Sequence, residues 1–413
     1  MSRLLPAFLL AFPGLLAGTS QALELDVRGK FFGVGTALPG HSLQRARRGT
    51  PAYDYTADLR LLFRQETGRF TFNVHHQSIV NGGDSFAFLL NPGATLDQSA
   101  TGDDLRLMDL TWELGSGDRY SIVQRFDRLS MQYRGSTWGF TVGREAVSWG
   151  SGLVFQPMDL FSPFSPTTVD RDFKAGDDLL LVDKLFANGS DLQFLGIVRR
   201  NLAGNVTADT VSSAVKWRTF IGSGELEVFG GRHYRDQVYG GSVRLPLGSA
   251  MMRTDLVATR LEGGDWRLSG ILNLDYSFAL GGRSTYVFAE YYHNGFGVKA
   301  LPASVLVLPE ALTVRLARGE VFNVMRDYLA LGGRFEWHPL WTQSLVLIGN
   351  LADGSTLLQT TLQYLPSDRA TMEVGFTWSM GDAGQEFGGV PVFGEAATAG
   401  GAFQGYTRWV YYF

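Results

Sequence analysis

The strongest constraint in this sequence is a two-residue alternation of apolar and polar side chains, held for about ten to thirteen positions at a time. In "RFTFNVHHQ", Phe70, Phe72 and Val74 alternate with Arg69, Thr71, Asn73 and His75. In "DRLSMQYR", Leu129, Met131 and Tyr133 alternate with Arg128, Ser130, Gln132 and Arg134. The stretch "WRLSGILNLDYSF" puts Trp266, Leu268, Leu272, Leu274, Tyr276 and Phe278 on one face, against Arg267, Ser269, Asn273, Asp275 and Ser277. "RATMEVGFTW" follows the same rule. Period two, with one apolar and one charged face, defines half-buried β-strands.

Two architectures bury such a face: a sandwich of two sheets, and a barrel whose apolar face meets lipid. Length separates them. Soluble strands average about five to six residues, whereas a tilted strand needs about ten to cross a bilayer. No later segment has the roughly 18 consecutive apolar residues of a spanning helix. Aromatics gather near segment ends (Trp112, Trp217, Trp266, Trp337, Trp341, Trp378, Trp409), where an interfacial girdle places them. The expected fold is all-β: a single transmembrane antiparallel barrel.

The first residues, "MSRLLPAFLLAFPGLLAGTSQA", combine Arg3, an apolar run from Leu4 to Leu16 and the small-x-small site Ser20-Gln21-Ala22. They read as a cleaved signal peptide over 1–22, leaving 23–413 for the barrel. A membrane anchor would need a longer core without Pro6 and Pro13. The chain has no cysteine, so an exported protein of this kind is not held by disulfides. With 36 basic and 40 acidic side chains it has no electrostatic reason to bind nucleic acid.

The last nine residues, "GYTRWVYYF", place Thr407, Trp409, Tyr411 and Phe413 on one face and end on Phe413. This resembles the C-terminal strand of Gram-negative outer-membrane proteins. The resemblance implies an outer-membrane location with lipid bilayer and lipopolysaccharide as surroundings, and recognition of Phe413 by the barrel-assembly machinery. It also sets the C-terminus on the periplasmic side. Tight turns then fall at 365–368, 338–340, 280–282, 246–249, 221–224, 187–190 and 134–136. Long outer loops fall at 381–404, 296–325 and 148–176. Upstream, strands are expected near 23–35, 53–65, 69–80 and 104–114, and 119–134 is one strand or a hairpin. Counting 119–134 as one strand gives 19, an odd number that a bacterial single-chain barrel should not have. The expectation is therefore about 18 strands, with 16 and 20 open.

The segment 143–178, "GREAVSWGSGLVFQPMDLFSPFSPTTVDRDFKAGDD", leaves every regular period. A long outer loop with five aromatics gains nothing by staying in water. Folded into the lumen, it would bury Phe155, Phe161 and Phe164 and carry Asp170, Arg171, Asp172 and Lys174 to the wall. Its pattern "GRE-x-x-SWGSG…P-x-D-x-F-x-P", residues 143–163, resembles the "GRQ…WG-x-G…P-x-D" region of porin-like families, including alginate-export-type channels. Glu145 stands where Gln is usual. The resemblance implies a channel with an inward Arg144, whereas alternation from Trp138, Phe140 and Val142 turns Arg144 outward; a β-bulge at Gly143 would reconcile the two. The expected constriction set is Arg128, Arg134, Arg144, Glu145, Trp149, Phe155, Asp159, Phe161, Phe164, Asp170, Arg171, Asp172 and Lys174.

By parity, Arg28, Arg60, Arg69, Arg128, Arg134, Arg218, Arg244, Arg253, Arg267, Arg334 and Arg408 face the lumen. Asp26, Asp58, Glu225, Glu227, Asp255, Asp275, Glu290, Glu336 and Glu373 share that face. Mixed signs suit a hydrated path for small polar or weakly anionic solutes, and equally suit cross-strand ion pairs that stiffen the wall. Adjacent His75 and His76 point to opposite faces and cannot chelate one metal, and no catalytic constellation is held together by spacing. No enzyme activity and no cofactor are expected. The functional expectation is a diffusion channel. An export or lipid-handling barrel with periplasmic or inner-membrane partners, a scaffold for another protein, and a homo-oligomer stay open.

Overall fold

The computed structural model describes residues 22–85, 103–161, 163–394 and 397–413. The expected signal peptide lies outside these residues except for Ala22, the first residue of β1. In chain order the strands are β1 (Ala22–Ala37), β2 (Ala52–Thr67), β3 (Phe70–Gly83), β4 (Thr111–Gly117), β5 (Tyr120–Arg134), β6 (Trp138–Glu145) and β7 (Asp177–Leu185). There follow β8 (Asp191–Val198), β9 (Val211–Ile221), β10 (Gly224–His233), β11 (Asp236–Leu247), β12 (Ala250–Arg260), β13 (Trp266–Leu280) and β14 (Arg283–His293). The last are β15 (Asp327–His338), β16 (Trp341–Asn350), β17 (Thr356–Ser367), β18 (Ala370–Met380), β19 (Val390–Pro391), β20 (Thr398–Ala399) and β21 (Phe403–Tyr412).

Eighteen of these strands close into an antiparallel barrel. Each pairs with the next in the chain, except that β3 pairs with β5 and β18 with β21; β21 then pairs with β1 to seal the ring. Closure leaves no edge strand, so the ladders satisfy the wall backbone internally, as a bilayer requires. The alternation orients the wall as its sequence requires. Trp266, Leu268, Leu272, Leu274 and Tyr276 are exposed on the outside, while Ser269, Asn273 and Asp275 are buried within. One set of connections is tight: β13 and β14 are joined by Gly281 and Gly282, whose φ of 58° and 75° only glycine adopts readily.

The expected strand at 104–114 is not a wall strand. Residues 103–110 are irregular, and only β4 follows, pairing with the upper part of β5 (Thr111↔Arg125 to Gly117↔Tyr120). The lower part of β5 pairs with β6, which stops at Glu145. This arm therefore fills the wall above a short strand. The Phe126 amide donates to the Leu110 carbonyl and the Arg200 amide to the Leu105 carbonyl, which stitches the arm to both sides of the gap. The segment 120–134 is one strand, so discounting 104–114 turns 19 into 18.

The expected bulge at Gly143 is also absent. The register of β5 with β6 runs unbroken from Arg134↔Gly139 to Leu129↔Arg144. A bulge does occur in β5, where His75 pairs with Arg128 and His76 with Phe126, leaving Asp127 as the extra residue. It turns both Asp127 and Arg128 inward, which simple alternation forbids.

Candidate functional site: a loop seated inside the barrel

The connection 146–176 between β6 and β7 runs inside the barrel and touches opposite walls. Its first limb is apolar. Trp149, Met158 and Phe161 pack with Leu195 and Ile197 of β8, Phe229 of β10, Val238 of β11 and Val257 of β12. Val154 and Phe155 pack with Ile271 of β13, Tyr292 of β14, Tyr328 and Ala330 of β15 and Ile348 of β16. Phe155 stacks on Tyr292 with ring centroids 4.5 Å apart. Removing these side chains from a water-filled lumen is what holds the limb against the wall.

Two wall carboxylates fix its turn. Asp255 accepts from the Ser151 amide at 2.9 Å and the Ser151 hydroxyl at 2.6 Å. Glu290 accepts from the Leu153, Val154 and Phe155 amides at 2.8, 3.0 and 2.7 Å, and from Asn273 at 3.2 Å. Both acids are fully buried. A Cβ at Gly152 would lie 1.8 Å from the Phe155 carbonyl oxygen, so the turn requires glycine there.

The second limb is polar. Lys174 donates to both oxygens of Asp159 at 2.5 Å, to the Ser148 hydroxyl at 3.1 Å and to the Val147 carbonyl, tying the start of the loop to its end. Burial pushes the Asp159 carboxyl up to about 6 against the pull of Lys174, and burial also lowers Lys174. Arg171 turns back onto its own loop, donating to the carbonyls of Thr168, Pro166 and Ser165 at 3.1, 2.9 and 3.3 Å.

Between them, Asp170 and Asp172 reach the wall where the barrel closes. Asp172 pairs with Arg28 of β1 and Arg408 of β21; Asp170 pairs with Lys30 of β1 and, at 3.3 Å, with Arg408. Phe173 lies under Arg60 at 4.0 Å and Arg28 at 5.0 Å from its ring centroid, with His75 edge-on at 6.1 Å. The wall cations also have wall acids: Arg60 pairs with Asp127 at 2.8 Å, Lys30 with Asp58 at 3.5 Å and Arg408 with Glu373 at 3.1 Å. Asp58 is further linked through Gln77 to Arg125. Charges that looked mixed along the sequence are thus arranged in space. Carboxylates grip the loop backbone on one wall, and guanidiniums and Lys30 take loop carboxylates on the other.

The structure brings Trp149, Phe155, Asp159, Phe161, Asp170, Arg171, Asp172 and Lys174 into this one loop, and Phe164 half-buried beside it. Phe155, Phe164 and Asp159 also line a cavity closed on its far side by His233, Tyr292, Arg315 and Glu320. Arg128 stands at the root of the loop, donating to the Lys174 carbonyl and pairing with Glu145 at 2.9 Å. Two residues of the expected set lie elsewhere. Arg134 is exposed at the opposite end of β5, beside the turn to β6. Arg144 keeps the register of simple alternation and is buried within the wall. It pairs across β5 with outward Leu129, and it is buried because the arm folds over it: its guanidinium holds Asp178 at 2.9 Å, Asp103 at 2.8 Å and the Met108 carbonyl at 2.6 Å.

Sequence reasoning placed Arg28, Arg60, Arg408, Asp255 and Glu290 inside, but gave none of them a loop partner. Lys30, Phe173 and Asp127 were not singled out. Phe173 had a usable signal: an aromatic directly after an acid, in a loop already expected to turn inward.

A closed eighteen-stranded antiparallel barrel with a long loop seated in its lumen is the fold of a class of outer-membrane porins. Among solved structures the chain is similar to Acinetobacter baumannii OccAB1, with a TM-score of 0.55, 9% identity, and 95% of this chain and 96% of that one covered. It is also similar to a BenF-like porin from Pseudomonas fluorescens Pf-5 (TM-score 0.54, 11% identity, 94% and 98% covered). Pseudomonas aeruginosa OpdK with vanillate gives a TM-score of 0.54 at 9% identity, with 95% and 98% covered. At such identities the likeness is one of fold. No protein-family model and no curated protein matches the chain by sequence.

Proposed function

We propose that the chain is an outer-membrane channel for small polar or anionic solutes, delivered to that membrane by the signal peptide 1–22. The carrying observation is the loop 146–176, which spans the lumen and leaves its polar limb against Arg28, Lys30, Arg60 and Arg408. A solute that follows the remaining path passes a wall of buried cations, and rings of cationic side chains favour anions. Two of the similar structures hold vanillate and glucuronate, both carboxylates, which is the chemistry this wall would bind. Phe413 is exposed at the barrel's end, with its amide on the Val27 carbonyl at 2.9 Å, a placement suited to reading by the assembly machinery. Lipopolysaccharide would surround the outer rim.

The test is conductance of the purified barrel in planar bilayers, with the reversal potential read across a salt gradient. A low but finite conductance with preference for anions is expected. A folded barrel that carries no current under any condition would remove the proposal and favour a scaffold.

A further inference from the structure

We infer that Asp172 and Phe173 are a built-in occupant of an anion site, so that the wall binds a solute carboxylate only after these two residues let go. The inference rests on the channel reading above and adds to it a competitor carried by the chain itself.

Three observations carry it. The first is the pairing: one carboxylate shared by guanidiniums from two strands, with the next residue's ring against Arg60 and Arg28. Together they fill the site as a carboxylate borne on a flat ring would. The second is unused capacity. Nε of Arg28, Nε of Arg60, Nε of Arg408 and Nδ1 of His75 are buried around this occupant with no hydrogen-bond partner. A buried unpaired polar atom is costly, and these wall nitrogens are ones that a bound carboxylate could engage. The third is asymmetry between the loop's two anchors. On the acidic wall, Asp255 and Glu290 are fully buried and hold backbone amides. On the cationic wall, the Asp172 side chain is 32% exposed while Arg28 and Arg408 beneath it are 1% and 5% exposed. Solvent, and an anion dissolved in it, reaches the Asp172 contact first. The Asp172–Phe173 contact is therefore the part that exchanges, while Asp170 and Lys174 on either side stay buried on Lys30 and Asp159 and the turn 150–155 stays fixed.

The apparent affinity for a solute anion is the intrinsic affinity multiplied by the fraction of molecules in which this contact is displaced. Weakening the occupant therefore tightens binding of its competitor. Asp172 makes two charge-assisted contacts, to Arg28 and Arg408, and weakening them to neutral ones is worth about tenfold in that fraction.

The experiment compares the full barrel with Asp172→Asn and Phe173→Leu, each checked for folding by heat-modifiable mobility on a gel. Binding of benzoate and of acetate is measured by calorimetry in detergent, and conductance in planar bilayers. Asp172→Asn is expected to tighten benzoate about tenfold and to raise conductance. Phe173→Leu changes no charge, so a general electrostatic effect cannot imitate it; it is expected to tighten benzoate more than acetate. Unchanged benzoate affinity in both folded variants overturns the inference while leaving a conducting channel intact. Absence of current from the unaltered barrel and from both variants overturns the channel reading, and the inference with it.

Discussion

The two oxygens of Glu290 are taken by three successive backbone amides and by Asn273. A carboxylate bound this way is a clamp on backbone shape, because only the turn 150–155 presents three N–H groups to one point. Charged hydrogen bonds contribute roughly 1.5–3 kcal/mol each. Glu290→Leu should therefore free the turn, raising single-channel conductance and its noise while the barrel still runs as a folded species on a gel. Asp159 gives a second expectation. Burial raises its carboxyl to about 6, with Lys174 pulling the other way. The folded loop thus holds a proton that the released loop gives up near pH 4. Its stabilisation is complete below that value and is lost as pH climbs through about 6. Conductance should accordingly rise between pH 4 and about 6, and Asp159→Asn should flatten the profile; a pH dependence unchanged in the variant would refute the assignment.

At the scale of elements, the sequence shows what alternation controls and what it does not. Every wall strand from β6 onward is legible because period two is imposed by the pleat itself, while 119–134 reads equally as one strand or a hairpin. The turns are legible as well, since glycine or proline falls where two strands must be joined. The arm was not, because nothing local tells how far a strand's neighbour extends: 104–114 reads as a strand, and only the early end of β6 at Glu145 makes room for it. Arg144 follows from that error. Parity placed it outside, the motif's resemblance placed it inside, and neither could supply the covering arm. Its guanidinium now lies between Asp103 and Asp178, with burial raising Asp103 but Arg144 and Arg106 lowering it further, below the usual carboxylate range. Arg144→Leu would leave two buried carboxylates without that partner, a loss of about 3–5 kcal/mol. Limited proteolysis should then cut near 103–110 at lower protease concentration than in the unaltered protein.

For the whole molecule, the fold was readable and the site only in part. Inward parity found most of the charges, yet the sequence lists them in strand order, so acids and bases look interleaved. Only closure shows that β1, β2, β5 and β21 are neighbours and that β12 and β14 oppose them. The same arrangement sets how the channel should respond to salt. Cations partly neutralised by loop acids act over about a Debye length, roughly 10 Å at 0.1 M and 3 Å at 1 M salt. The anion preference measured from reversal potentials should therefore decline between those concentrations. A preference that stays constant would place selectivity in steric fit.

The seam between β1 and β21 joins the first and last wall strands, and Arg28 and Arg408 come from either side of it. Neither residue alone offers Asp172 the pair of guanidiniums it occupies. The apolar limb and the turn 150–155 seat on β8 to β16 without this seam, whereas Asp172 finds both its guanidiniums only where β1 and β21 meet. A seated return thus reports that β1 and β21 have met.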